Sequence, residues 1–186
     1  MTTRLFVAIP LDAELLMESL IPVRKFAAVK GIRFMPASNL HITQFFIGDV
    51  PVESRQEIIS TAGRVCSRLP AYLLVANRFV FAPERHPSMI WLSLAPNPAF
   101  VNANSIFSDS LAPFLPQVPR FPEPVPHITI ARLRRSFKSG QLVLPQLSQE
   151  IIQEVNRLEL WETLRTVGGV TYKRVAGWEL RNNQAG

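Results

Sequence analysis

The stretch HITQFFIG, residues 41–48, begins with a tripeptide that the chain repeats in HITIARL, residues 127–133. Both stretches are rich in β-branched and aromatic residues, which favours a β-strand for each, and Gly48 is expected to end the first strand. Two of the protein's three histidines open these repeats. The recurrence predicts that the chain folds into two related lobes, each containing one such strand.

The spacing inside each repeat decides which side chains can act together. Residues two apart in a strand point to the same face, so His41 and Thr43 share a face, as do His127 and Thr129. The isoleucine between them points the other way, into the core. Two such strands facing one another would line a cleft with two imidazoles and two hydroxyls.

The sequence around the repeats alternates between strand and helix patterns. Strands are predicted for residues 4–9, 71–83, 89–94, 155–164 and 170–180, and helices after Asp12, near Pro51 and at Asn97. Pro22 is expected to kink or end the first helix, and six prolines between residues 113 and 126 predict a rigid loop. The strand-to-strand returns favour antiparallel sheets with helices on one side, an α+β fold. Because no linker is visible, residues 1–186 are expected to form a single domain.

The amino-acid composition favours some classes of protein and excludes others. The formal net charge is +6, from 20 Lys and Arg against 14 Asp and Glu. This charge points to an anionic partner such as nucleic acid, although a basic solvated surface explains it equally well. The single cysteine, Cys66, excludes an internal disulfide and fits a reducing compartment. Neither a signal peptide nor a membrane-spanning run of roughly 20 apolar residues is present, which predicts a cytoplasmic protein with no membrane partner.

Two imidazoles beside two hydroxyls suit acid–base chemistry at phosphorus. The unperturbed pKa of histidine, about 6.5, allows one imidazole to be neutral while another is protonated at the same pH. The neutral ring can accept a proton from water or a hydroxyl, and the protonated ring can give one to the leaving oxygen. Threonine hydroxyls can hold the non-bridging phosphate oxygens by hydrogen bonds.

The two histidines also have a structural and a metal-binding interpretation. A single histidine on a strand is often structural, and histidine is a common metal ligand. Each repeat supplies only one such ligand, and no carboxylate or cysteine stands at ligand spacing, so a metal site is not expected. His86 lies in the predicted turn PERHPS and is expected to be a surface residue. A basic module that binds RNA ends without turning them over is the alternative function.

The repeats and their flanks resemble those of a known family. NLHITQFFIG at residues 39–48 and PHITIAR at residues 126–132 are similar to the paired motifs of the two-histidine phosphoesterase superfamily. The closer resemblance is to its RNA 2′,3′-cyclic phosphodiesterases, also called 2′-5′ RNA ligases. The resemblance implies a bilobal α+β fold, with two antiparallel sheets, flanking helices, a pseudo-two-fold axis and a cleft between the lobes. It also implies hydrolysis of 2′,3′-cyclic phosphates to 2′-phosphomonoesters without metal or cofactor, with 2′-5′ ligation as a minor reverse activity.

The resemblance also implies roles for individual residues. His41 would donate a proton to the departing 3′ oxygen, and His127 would activate water as the base. Thr43 and Thr129 would bind the phosphate oxygens, with Arg132 adding positive charge. The expected partners are RNA 3′ ends or small cyclic nucleotides, bound by a monomer.

Two further residues raise questions that the sequence leaves open. Strand parity puts Arg132 on the face opposite to His127 and Thr129, so it can reach the phosphate only if the strand ends or twists before it. Phe6, in the first strand, is a candidate for stacking on a nucleobase, and a core role explains it equally well.

Overall fold

A computed structural model describes residues 1–116, 124–137, 140, 142–167 and 169–182 of the chain. The strands are β1 (Thr2–Pro10), β2 (Ile32–Phe34), β3 (His41–Pro51), β4 (Tyr72–Ala82), β5 (Met89–Leu94), β6 (His127–Leu133), β7 (Ile152–Val155), β8 (Arg157–Thr166) and β9 (Gly169–Glu179). The helices are α1 (Ala13–Ser19), α2 (Ile21–Phe26), α3 (Arg55–Cys66) and α4 (Pro98–Leu111). Short 3₁₀ turns occupy Ala37–Asn39, Val52–Ser54 and Ala112–Phe114.

The helix starts follow the capping residues in the sequence. The Asp12 carboxylate accepts a hydrogen bond from the Leu15 N–H at 2.8 Å, and the Asn97 side chain accepts one from the Phe100 N–H at 2.9 Å. These bonds satisfy backbone donors that have no partner inside the helix. The first helix ends before Pro22, and α2 then begins with that proline in its first turn. The predicted starts at Asp12 and Asn97 are therefore confirmed.

Two predictions about elements were wrong in detail, and one strand was missed. Gly48 does not end β3, because it adopts a positive φ of 98° at a bulge and the strand continues to Pro51. The third helix begins at Arg55 rather than near Pro51, after a 3₁₀ turn. Strand β7 was not predicted. Residues 117–123 of the proline-rich loop lie outside the described residues.

The nine strands of the described residues form one antiparallel sheet in the order β7-β4-β5-β6-β3-β1-β8-β9, with β2 paired to β6. Along this order, four strands lie on each side of the junction between β6 and β3. The two halves, which the sequence analysis expected as two sheets, are joined edge to edge at the pair Ile42–Ile128. The α+β class is confirmed. The pseudo-two-fold axis stays a prediction.

Helices α3 and α4 pack on each other and cover the face of the sheet that carries the core. The buried residues of α4 are Phe100, Ala103, Phe107 and Leu111, which recur at helical spacing. Phe107 stacks on Phe45 of β3 with ring centroids 6.1 Å apart. Each fully buried large side chain of this kind contributes about 1.5–3 kcal/mol to folding. Among the described helices, none is both long and apolar enough to cross a membrane.

A buried polar network ties β3 to the helix layer. Gln44 follows Thr43, is fully buried, and donates a hydrogen bond to the Phe100 carbonyl at 3.0 Å. Its side-chain oxygen accepts a hydrogen bond from the Tyr72 hydroxyl of β4. Asn104 of α4 donates to the Gln44 carbonyl at 2.7 Å. Because buried polar groups are costly when unpaired, these bonds fix where β3 lies relative to α4.

Replacing Tyr72 by phenylalanine should destabilise the protein, because the buried Gln44 oxygen would lose its donor. We expect the free energy of unfolding to fall by about 1–3 kcal/mol in urea titrations. Ser93→Ala is the matched control, since the Ser93 hydroxyl donates to the Arg78 carbonyl at an exposed position. That variant should change the free energy by less than about 0.5 kcal/mol. Equal effects of the two substitutions would contradict a structural role for the Tyr72–Gln44 bond.

Candidate active site

The two repeated tripeptides lie side by side at the centre of the sheet. Strands β3 and β6 pair in antiparallel fashion at Ile42 and Ile128, and both isoleucines are fully buried. This register places His41 next to Thr129 and Thr43 next to His127, on the face opposite to the isoleucines. The proximity of the two rings is also visible in their electrostatics, because the charge of His127 contributes to lowering the pKa of His41.

Each imidazole is oriented by a carbonyl two residues earlier in the chain. Nδ1 of His41 lies 2.7 Å from the Asn39 carbonyl oxygen, and Nδ1 of His127 lies 2.8 Å from that of Val125. A carbonyl only accepts, so Nδ1 carries the hydrogen in both rings and Nε2 is left without one when the ring is neutral. Nε2 of His41 lies 3.1 Å from the Thr43 hydroxyl oxygen. Both rings are therefore held ready to accept a proton at Nε2.

A β-bulge after each threonine changes which residues face the cleft. In β6, Trp91 pairs with Thr129 and Ile90 with Ala131, which leaves Ile130 as the extra residue. Ile130 and Ala131 are both buried, so Arg132 returns to the face of Thr129. The parity argument that put Arg132 on the opposite face was wrong because it assumed an unbroken alternation.

Strand β3 has a β-bulge of the same kind after Thr43. Thr43 pairs with Ala8 and Phe45 with Val7, so Gln44 is the extra residue. Gln44 and Phe45 are both buried, and Phe46 is exposed on the cleft side. Phe46 and Arg132 thus hold equivalent places, each five positions after the histidine of its own repeat.

A cavity of about 230 Å³, here called the active-site cavity, opens over this face. His41, Thr43 and Arg132 line it together with Phe6, Phe46 and Tyr172. Arg4 and Arg165 add two more guanidinium groups to its wall, and Arg4 also lies over the Phe46 ring at 4.9 Å. His127 and Thr129 do not line this cavity and lie beside it on the neighbouring strand. The cavity therefore combines one imidazole and the hydroxyls of Thr43, Thr163 and Tyr172 with three arginines, a set suited to an anion.

Aromatic rings surround His41. The ring centroids of Phe6, Trp161 and Tyr172 lie 4.9, 5.0 and 5.1 Å from that of His41. Burial lowers the pKa of His41 to about 4, with the Asn39 carbonyl opposing and the His127 charge assisting the shift. His41 is therefore neutral at pH 7 in the free protein.

His127 has a different aromatic partner. Trp91 of β5 stacks on its ring at a centroid distance of 3.8 Å and an interplanar angle of 20°. Burial lowers the pKa of His127, and the hydrogen bond to the Val125 carbonyl opposes that shift. His127 is therefore also neutral at pH 7 when no anion is bound.

Phe6 is almost completely buried under the histidine of the first repeat. Only 2% of its surface is exposed, and its ring packs against His41, Trp161 and Tyr172. It supports the His41 ring from the side and has little free face for a nucleobase. His86 lies in an exposed turn, as the sequence predicted.

Sequence reasoning missed several residues of the site. Trp91, Trp161 and Tyr172 reach the histidines from neighbouring strands, and no local pattern indicates that pairing. Phe46 stands in the first repeat stretch and was not assigned a role, since the bulge that exposes it depends on β1. No three His, Cys, Asp or Glu side chains among the described residues group closely enough to ligate a metal.

Comparisons with known proteins agree with this architecture. The family model for the 2′-5′ RNA ligase superfamily matches residues 18–166. A protein of Archaeoglobus fulgidus named RNA 2′,3′-cyclic phosphodiesterase is 24% identical over 180 residues, which is 95% of this chain and 99% of that protein. TT0787 of Thermus thermophilus has a similar fold, with a TM-score of 0.83 at 20% identity, over 97% of this chain and all of that one. The E. coli LigT structure with 3′-AMP gives a TM-score of 0.77 at 24% identity, over 97% and 99% of the two chains.

The lowered pKa of His41 predicts that the free energy of unfolding depends on pH. The unfolded imidazole has a pKa of about 6.5, so between pH 6.5 and about 4 the unfolded state binds more protons than the folded state. The free energy of unfolding should therefore fall as the pH is lowered through this window, by up to about 3 kcal/mol from His41. Urea unfolding at pH 7 and pH 4.5 would measure this loss.

His41→Gln should remove that part of the pH dependence, because glutamine does not titrate. His86→Gln, at the exposed turn, is the control and should keep the wild-type dependence. If His41→Gln loses as much stability between the two pH values as the wild type, the proposed burial of a neutral imidazole is wrong.

Proposed function

The chain belongs to the 2′-5′ RNA ligase superfamily, and we propose that it hydrolyses 2′,3′-cyclic phosphates at RNA 3′ ends to 2′-phosphomonoesters. The observation that carries this proposal is the pair of imidazoles on adjacent strands, each with Nδ1 bonded to a carbonyl, so that Nε2 carries no hydrogen when the ring is neutral. The relative named RNA 2′,3′-cyclic phosphodiesterase supports the substrate class. The enzyme is accordingly a hydrolase.

The reaction needs one ring to accept a proton and the other to give one. His127 takes a proton from water as the water attacks phosphorus, and His41 gives its proton to the departing 3′ oxygen. The bond from phosphorus to the 3′ oxygen breaks, and the phosphate remains on the 2′ oxygen. Thr43 and Thr129 hold the non-bridging oxygens by hydrogen bonds, and no metal takes part.

The role of His41 as acid requires its pKa to rise when substrate binds. An increase from about 4 to 7 corresponds to about 4 kcal/mol. One negative charge about 4 Å from the ring supplies about 4 kcal/mol at an effective dielectric constant of 20. The phosphate anion is therefore sufficient to protonate His41 as it enters the site.

Arg132 would stabilise the charge that builds up on the phosphate. It lines the active-site cavity beside His41 and Thr43, and no carboxylate among the described residues pairs with it. A guanidinium can donate two parallel hydrogen bonds to phosphate oxygens, which a lysine cannot do. This arrangement suits a negatively charged transition state.

The same two rings would also support ligation. With a 5′ hydroxyl in place of water, His127 would take the proton of that hydroxyl and His41 would again give a proton to the departing 3′ oxygen, which forms a 2′-5′ bond as a minor activity. We place the enzyme in the cytoplasm as a monomer formed by residues 1–186, acting on RNA ends or small cyclic nucleotides. The buried thiol of Cys66 is compatible with a reducing compartment.

Turnover of a 2′,3′-cyclic nucleotide in the presence of EDTA tests the reaction. The parent should remain active, and His41→Ala and His127→Ala should each lose at least about a hundredfold in kcat, the usual contribution of one acid or base. His86→Ala is the matched control and should retain activity. Binding without hydrolysis by the parent would support the alternative, a non-catalytic RNA-end-binding module. Activity that disappears with EDTA would support a metal site.

Anion binding should be accompanied by proton uptake, since both imidazoles have lowered pKa values in the free protein. Sulfate is a suitable probe because its own charge does not change between pH 5 and 8. Calorimetric titration at pH 6, in two buffers of different ionisation enthalpy, should show uptake of up to one proton. The affinity for sulfate should rise as the pH falls from 8 to 5.

The double variant His41→Gln/His127→Gln is the control for that titration, and it should bind sulfate without proton uptake. A wild-type binding enthalpy that is the same in both buffers would contradict the proposed protonation on binding.

A further inference from the structure

The positive charge of the protein is concentrated in two segments that contain no carboxylate. Residues 19–48 carry four Lys and Arg and no Asp or Glu, and residues 124–149 also carry four and none. The rest of the chain has 12 basic residues against 14 acidic ones. The whole net charge of +6 therefore originates in these two segments.

The fold brings these two segments together. Strand β2 of the first segment pairs with β6 of the second, with Ile32 opposite Leu133 and Arg33 opposite Arg132. Just beyond this pairing, the Arg134 N–H donates to the Gly31 carbonyl at 2.8 Å. Two arginines directly opposite one another repel, so this pairing costs free energy unless an anion offsets it.

A second cavity lies at the end of this strand pair. It has a volume of about 500 Å³, twice that of the active-site cavity, and its lining includes Lys30, Gly31, Arg134 and Phe137. We call it the outer cavity. A volume of this size accommodates a nucleotide. Lys30 and Arg134 are exposed, and neither forms an ion pair with a carboxylate of any described residue.

Two arginines that are close in the sequence line the two cavities. Arg132 lines the active-site cavity, and Arg134, two residues further on, lines the outer cavity. Two residues of extended chain span about 7 Å, so a single nucleic-acid strand can pass from one cavity to the other within a few nucleotides. Arg33 of β2 lies opposite Arg132 and adds a third guanidinium group to this region. Basic side chains without carboxylate partners beside an aromatic ring, here Phe137, are typical of single-strand binding.

A cyclic phosphate is the last group of an RNA strand, so the remainder of the strand must leave the active-site cavity on one side. We propose that the outer cavity is a second phosphate-binding site, which holds the backbone of the same single-stranded RNA a few nucleotides before its cyclic end. This inference rests on the proposed function, because it assigns to that reaction a polynucleotide substrate in preference to a free mononucleotide.

Binding measurements separate the two cavities. The probes are a single-stranded oligoribonucleotide that ends in a 2′-phosphate, measured by fluorescence anisotropy, and 2′-AMP, measured by competition. Lys30→Ala/Arg134→Ala should weaken oligonucleotide binding by on the order of tenfold, because two phosphate contacts are lost. The slope of log K against log salt should become shallower by about 1.4. The affinity for 2′-AMP should stay within about twofold of the wild type.

Arg64→Ala/Arg68→Ala is the matched control. These arginines line another cavity, of about 460 Å³, beside α3 and α4, so the variant removes the same charge at a similar cavity elsewhere. It should leave oligonucleotide binding within about twofold of the wild type. Thermal melting of both double variants checks that each is folded.

Several results would overturn the proposal. One is that Lys30→Ala/Arg134→Ala weakens the binding of 2′-AMP as much as that of the oligonucleotide. Another is that the control variant weakens oligonucleotide binding as much as Lys30→Ala/Arg134→Ala does, and a third is an unchanged salt slope. Competition by polyglutamate as strong as that by the oligonucleotide would also overturn it, by indicating a site for any polyanion. Turnover of a 2′,3′-cyclic mononucleotide, measured separately on the parent, reports on the proposed function alone. If the parent does not turn over the mononucleotide, the proposed function is wrong, and the binding measurements still test the outer cavity.

Discussion

The antiparallel register at Ile42 and Ile128 is the constraint on which the candidate site depends. Adjacent strands in a sheet lie about 4.8 Å apart, so two side chains on neighbouring strands keep a nearly fixed separation. Burial of the two isoleucines prevents either strand from slipping by one residue, since a slip would place the isoleucine of that strand in the cleft. The strand spacing therefore determines the distance between the two imidazoles. Hydrogen bonds to the carbonyls of Asn39 and Val125 fix the orientation of each ring.

Burial and nearby charges determine the protonation state of the two imidazoles. The site combines imidazoles whose pKa values are lowered by burial with three guanidinium groups, of which those of Arg132 and Arg165 have no carboxylate partner among the described residues. Before an anion binds, such a site disfavours a proton on either ring, and an entering phosphate would reverse that preference. The protonation state needed for the proposed reaction would therefore be produced by the substrate itself. Arginines are well suited to this setting because they stay charged at every relevant pH.

The sequence predicted the parts of the structure that local patterns control. The faces of His41 and Thr43, the caps at Asp12 and Asn97, and the α+β class all follow from periodicity and capping chemistry. The bulges could not be predicted, because an extra residue becomes visible only when the partner strand is known. The same reason explains the aromatic partners Trp91, Trp161 and Tyr172, which come from strands distant in sequence. Strand β7 was missed because its four residues are too few to show the alternation of apolar and polar side chains that indicates a strand.

The bulge after each threonine also sets how many residues separate the histidine from the next side chain on the cleft face. Deleting Ile130 would restore simple alternation in β6 and leave Arg132 on the cleft face, four positions after His127 instead of five. Deleting Gln44 would do the same for Phe46 in β3. A homologue that lacks the extra residue should therefore carry its cleft-facing side chain one position earlier in the sequence, and an alignment that opens the gap further along the strand would misassign that side chain.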